Sequence, residues 1–273
     1  MKKGVRDYII TCLQGGALTT SDLVTRTSSY CNATPQAVYK TLTVLRTNDI
    51  ITISKRGTSL SLLYIEKEME KWQLAHRVTL SGAELARRLT HDKTKVAYSF
   101  ANFHELDLFW THSFTIVAAN VPTSVPRYML TPHDFFLYTR PETDSFWIKK
   151  NVTEKHTSRL IVPYALPLDK EVIKERRSSS GTTFEFLIGI NPLKQKEHIY
   201  YNILGDYIFT GTMDKEVHEK IVAYIANQKR IPRSTKELAH IQNLIEMKGH
   251  FTLTIERHKK KAGAIEKKLQ KYF

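Results

Sequence analysis

The first apolar positions of the chain recur at helical spacing. Val5, Tyr8, Ile9, Cys12 and Leu13 follow i, i+3, i+4, i+7 and i+8, which predicts a helix with one apolar face, stopped by Gly15-Gly16. Thr20-Ser21-Asp22 signals the start of a second, short helix running to about Cys31, because a side-chain oxygen can cap it and a carboxylate suits its first turn. Thr34-Pro35 opens a third, since proline lacks only an N–H that has no helical partner at that position. There Val38, Leu42 and Leu45 turn inward and Gln36, Tyr39, Lys40, Thr43, Arg46 and Thr47 stay outside. Asn48-Asp49, residues that tolerate a left-handed turn, end it. Ile50–Ser54 then alternates as a strand, Lys55-Arg56-Gly57 makes a tight turn, and Leu60–Ile65 returns as a second strand.

Further along, Glu66–Lys71 is strongly helical and mixed in charge, and Leu85, Leu89, Val96, Phe100 and Phe103 lie loosely at helix periods. From Phe114 the pattern changes. "FTIVAANVP", "HDFFLYTR", "SRLIVPYAL", "TFEFLIGI" and "HIYYNILGDYIFTG" are runs rich in β-branched and aromatic residues and predict strands. "ETDSFWIKKN", "LDKEVIKERR" and "TMDKEVHEKIVAYIANQ" predict helices between and after them. The end reads as two more helices, "STKELAHIQNLIEMKG", with Ser234 and Glu237 as a capping box, and "TIERHKKKAGAIEKKLQKYF". Strands alternating with helices predict an α+β or α/β class. The expected organisation is residues 1–65 as a first domain, 66–110 as a helical connector and dimer contact, 111–230 as an α/β sensor or assembly domain, and 231–273 as a basic helical tail.

Charge sharpens this picture. The 273 residues carry a net charge of +14, with 41% hydrophobic and 25% charged residues, a globular composition. Residues 1–65 hold eight Lys/Arg against three Asp/Glu, residues 66–228 twenty-one against twenty, and residues 229–273 twelve against four. A neutral middle between basic ends predicts contact with a polyanion, because each cation near a phosphate releases counterions. The outer face of the third helix carries amide, hydroxyl and guanidinium groups and no acid, which suits base edges in a major groove. The expected DNA-contacting residues are therefore Gln36, Tyr39, Lys40, Thr43 and Arg46, with Lys55 and Arg56 on the hairpin turn and Lys259, Lys260 and Lys261 in the tail.

Other chemistry finds little footing. There is no Gly-rich phosphate loop, no nucleophile elbow and no His pair at metal-ligand spacing. Glu246-Met247-Lys248 and Glu266-Lys267-Lys268 match the E-x-K of metal nucleases but lack a preceding strand acid. Tyr128, Phe135, Phe136 and Tyr138 could line an aromatic pocket, with sheet core as the preferred reading. No catalytic residue, metal or cofactor is expected. The two cysteines, Cys12 and Cys31, sit at apolar helix positions and suggest no disulfide framework. No apolar run approaches the roughly 18–20 residues of a membrane helix, so the expected location is the cytoplasm, with no membrane partner.

Three helices and a hairpin in this order resemble the winged helix-turn-helix of bacterial and archaeal transcription regulators. "VYKTLTVLRTNDII" is similar to the recognition helix and first wing strand of that superfamily, with Asn48-Asp49 where a Gly is usual. A winged helix followed by a strand-helix domain also resembles one-component regulators such as the archaeal TrmB-like group. Every His fails the His-x-Lys-x4-Asp of that group's phospholipase-D-like relatives; after His258, for example, Ile265 stands where the Asp should be. The resemblance implies a DNA-binding transcriptional regulator, a dimeric repressor and not an enzyme. Double-stranded DNA, a second copy, and a small-molecule effector or partner protein would be its partners. The alternatives are an antitoxin-type or phage-defence autorepressor that docks a partner protein, and a nuclease with a winged-helix targeting domain.

Overall fold

The computed structural model describes residues 3–54, 57–82, 85 and 88–273. The chain divides into two compact units, residues 1–81 and 82–273.

The smaller unit begins with α1 (Val5–Gln14), α2 (Thr20–Cys31) and α3 (Pro35–Thr47). Thr19, one residue before the expected start, caps α2 by accepting from the Asp22 N–H at 3.1 Å, and Thr34 caps α3 through the Ala37 N–H at 3.3 Å. Asp49 takes the left-handed conformation after α3, with φ 56°. The hairpin β1 (Ile51–Ser54) and β2 (Gly57–Leu60) is antiparallel, and the Leu18 backbone pairs with Thr58 beyond it. Gly57 is required there: φ is 133°, and a Cβ would lie 2.6 Å from the Leu18 carbonyl oxygen. Ile9, Leu13, Leu23, Val38, Leu42, Leu45 and Ile51 form the core, so the apolar spacing read along the chain converts directly into burial. The expected return strand is shorter than its apolar run. Leu62–Ile65 belong to α4 (Leu62–Gly82), whose start is fixed where the Ser61 hydroxyl accepts from the Tyr64 N–H at 3.1 Å.

The larger unit is a mixed α/β structure around a seven-stranded sheet of order β3-β9-β8-β7-β4-β5-β6. Its strands are β3 (Thr94–Phe100), β4 (Arg127–Leu130), β5 (Ser158–Val162), β6 (Phe184–Ile188), β7 (Ile199–Leu204), β8 (Tyr207–Thr212) and β9 (Phe251–Arg257). β4, β5 and β6 are parallel, and all other neighbours are antiparallel. Helices α5 (Phe103–Ala118), α6 (Phe136–Thr139), α7 (Pro141–Glu154), α8 (Pro167–Ser180), α9 (Lys215–Ala226), α10 (Thr235–Ile245) and α11 (Lys259–Leu269) complete it. A large core joins α5, α9 and α10 to one face through Leu106, Phe114, Phe209, Ile221, Ile241 and Leu253. On the other face, Ala262 and Leu269 of α11 pack against Tyr128, Leu130, Ile161, Ile203 and Ile208.

Four expectations change here. "FTIVAANVP" is the end of helix α5, not a strand: Phe103, Leu106, Trp110, Phe114 and Val117 repeat at helical spacing, and Asn102 caps the helix through the Glu105 N–H at 2.8 Å. "HDFFLYTR" holds only the single turn α6. Residues 94–100 form an edge strand, because Val96, Tyr98 and Phe100 alternate inward at period two. "TIER" closes strand β9, held between β3 and β8, so the final basic segment starts inside the sheet instead of as a helix. Among the described residues, no helix is long and apolar enough to cross a membrane.

Candidate functional site

The parallel strands β4 and β5 present Arg127, Met129, Ser158 and Leu160 to one face of the larger unit, where helices α5, α7 and α8 enclose a cavity of about 170 Å³. Phe103, Trp110 and Phe114 from α5, Phe136 from α6 and Trp147 from α7 form its apolar wall. Apolar pockets with a few converging polar groups are the usual form of a small-molecule site.

Charged groups enter in pairs. Arg176 on α8 donates through Nε and Nη2 to Asp134, the latter at 3.0 Å, and through Nη1 to Asp144 at 2.8 Å. Burial pulls the guanidinium downward, but the two carboxylates more than offset it, and the net shift is upward. Burial raises Asp144 against the opposing pull of Arg176. Arg140 donates to Asp107, to Thr143 at 3.0 Å and to Thr111 at 3.3 Å, and burial likewise lifts Asp107. These pairs brace α5, α7 and α8 around the cavity and neutralise each other within it.

Arg127 differs. It is 2% exposed, donates to Asn151 Oδ1 through Nη1, and lies with its guanidinium carbon 5.5 and 5.8 Å from the ring centres of Trp147 and Phe114. Its nearest carboxylate, Glu154, is 3.9 Å away. Burial lowers its pKa to about 10, with Glu154 pulling the other way. Tyr200, from β7, lines the same cavity with a buried hydroxyl that has no partner among the described residues, and burial drives it upward beside Asp169 and Asp134.

The residues expected to contact DNA lie elsewhere. Gln36, Tyr39, Lys40, Thr43 and Arg46 are all exposed on α3, as its periodicity requires. Lys55 and Arg56 lie outside the described residues. Lys259, Lys260 and Lys261 are exposed in the first turn of α11. There the Lys259 N–H donates to Asp92 at 2.9 Å, and Lys261 Nζ lies 2.5 Å from Glu256. α11 is thus a packed element of the sheet's second face, and this part of the expected basic helical tail belongs to the fold of the larger unit. Of the four aromatic residues read as pocket or core, only Phe136 lines the cavity; Tyr128 lies on the opposite face of the sheet, and Phe135 and Tyr138 are core. Sequence reasoning passed over Arg127, Ser158 and Arg176. The one available signal was a charged residue, Arg127, directly heading an apolar strand.

No family model matches the chain, and no curated protein matches it. Among solved structures, the chain is similar to CalO1, a methyltransferase in calicheamicin biosynthesis, in its SAH-bound form. That likeness has 11% identity over 92% of this chain and 91% of the other, with a TM-score of 0.25. That neighbour is an enzyme, against the expectation of a DNA-binding transcription regulator, repressor and non-enzyme, which finds no support in the comparisons. At this TM-score it carries no argument for methyl transfer by this chain.

Proposed function

We propose that the unit of residues 82–273 binds a small molecule with an apolar, ring-bearing body in the cavity between β4, β5 and helices α5, α7 and α8. The observation that carries this reading is the combination of an aromatic wall with buried charged side chains at one cavity. A core built only for stability would fill that space with aliphatic side chains, since apolar replacements of buried ion pairs are often neutral or stabilising. Here Arg176, Asp134 and Asp144 hold the walls apart around unfilled volume. The test uses the two tryptophans of the wall, Trp110 and Trp147, in the full chain carrying Trp72→Phe to remove the third. Titration with ring compounds that do not fluoresce should shift or quench tryptophan emission saturably. Leu160→Trp, which fills the cavity, should abolish the response. A response equal in both proteins would place binding elsewhere.

For the smaller unit, we infer a winged helix over residues 4–60. The order of three helices and an antiparallel hairpin, with the Thr34-Pro35 start of α3 and Asp49 turning the chain into the hairpin, supports it. An experimental structure of the protein would test this by the placement of α3 against β1 and β2.

A further inference from the structure

Three buried polar atoms of the cavity lining lack a hydrogen-bond partner among the described residues, the Tyr200 hydroxyl and two that stand side by side on β4 and β5. Arg127 and Ser158 are direct partners across the parallel strands β4 and β5, so their side chains emerge on the same face. Both line the cavity, and both are almost wholly buried. The Arg127 Nε and the Ser158 hydroxyl have no hydrogen-bond partner among the described residues. Buried polar atoms are nearly always paired, by protein, water or ligand, so two orphaned donors side by side need an acceptor from outside the chain.

The charge balance says what kind. Arg127 faces Glu154 only at 3.9 Å, and Glu154 is already engaged by Lys150 Nζ at 2.5 Å. The three carboxylates around the rest of the cavity, Asp107, Asp134 and Asp144, are held by Arg140 and Arg176. Among the described residues, the buried guanidinium of Arg127 thus has only a long ion pair, to a carboxylate that it shares with Lys150. A cation so placed stays favourable when an anion meets it with good hydrogen bonds. One guanidinium and one hydroxyl match a single carboxylate. A dianion such as phosphate would leave charge uncompensated beside Glu154.

Resting on the small-molecule reading above, we infer that the ligand is a monocarboxylic acid with a ring-bearing body. Its carboxylate is seated by Arg127 and Ser158, and its ring lies along the wall of Phe114 and Trp147.

The experiment compares phenylacetate, its uncharged isostere phenylacetamide, and inorganic phosphate, by thermal melting and tryptophan emission of the full chain. Phenylacetate should bind about tenfold or more tighter than phenylacetamide, the usual scale of a charged hydrogen bond. Arg127→Gln should erase that difference. Ser158→Ala, a change small enough to leave the fold intact, should weaken phenylacetate several-fold and phenylacetamide little. Equal binding of the two ring compounds would overturn the carboxylate seat and leave the cavity reading standing. Binding of neither would overturn both. Phosphate stabilising as strongly as phenylacetate would overturn the inference too, since the ring would then contribute nothing. Unchanged phenylacetate affinity in Ser158→Ala would remove the seat from this pair of strands.

Discussion

His133 Nδ1 lies 2.9 Å from Asp169 Oδ2, with both side chains buried, just past the end of β4 and in the first turn of α8. The same carboxylate accepts from the Leu166 N–H at 3.1 Å and the Asp134 N–H at 3.3 Å. One side chain thus caps a helix, holds the segment after a strand, and orients the residue that Arg176 grips. Asp169→Ala leaves these donors unpaired in the interior. It should cost about 3 kcal/mol, read from the urea midpoint, because each lost charged bond and each orphaned donor adds to the penalty. Asp169→Asn, which keeps one oxygen, should cost less. Equal losses would mean that the carboxylate's charge carries the whole effect.

Arg176 bridges Asp134 and Asp144 in the buried wall of the cavity. Arg176→Ala strands two carboxylates without a partner and should destabilise by about 3–5 kcal/mol in chemical denaturation. The triple change Arg176→Met, Asp134→Asn, Asp144→Asn removes the charges together and should recover most of that loss. Failure to recover would show that the geometry of the clamp, and not its charge balance, holds α8 in place.

His218 is 4% exposed, and neither ring nitrogen has a hydrogen-bond partner among the described residues. Burial, with His133 and His198 nearby adding smaller effects, brings its pKa from 6.5 down to about 4. The neutral ring is therefore the folded form. As pH falls below about 6.5 the unfolded chain takes up this proton first, so stability is full above that value and declines toward pH 4. His218→Leu should flatten that part of the stability–pH curve. An unchanged slope would assign the acid loss to other groups.

Gly211 on β8 is held by sterics. A Cβ there would lie 2.1 Å from Trp110 Cζ3, in the cavity wall. Gly211→Ala should displace the indole, cost about 1–3 kcal/mol in thermal unfolding, and move the tryptophan emission. A lowered melting temperature with unmoved emission would mean that the strand, not the indole, gives way.

Leu269 on α11 is fully buried against the second face of the sheet. Leu269→Ala should cost about 2–4 kcal/mol. Removal of residues 259–273 should unfold the larger unit by baring Leu130, Ile161 and Ile208, visible as loss of the cooperative melt. A truncated chain that melts like the full one would make α11 dispensable to the fold.

The smaller unit was legible because its determinants are local. Val38, Leu42 and Leu45 announce the buried face of α3 by spacing alone, and Thr34-Pro35 marks its start whatever lies around it. The same local logic placed α9 and the capping box of Ser234 with Glu237. It failed for α5, where β-branched Thr115, Ile116 and Val117 argue for a strand, and only packing against the sheet decides for a helix. It failed for β9 as well: Phe251, Leu253 and Ile255 alternate, but a central strand needs two neighbours, and β3 and β8 come from distant parts of the chain. The cavity was illegible for the same reason. Nothing near Arg127 in the chain shows that Ser158 stands beside it or that Glu154 stops short of neutralising it. Those facts arise from strand register and helix docking, which bring together residues whose identities are local and whose partners are not.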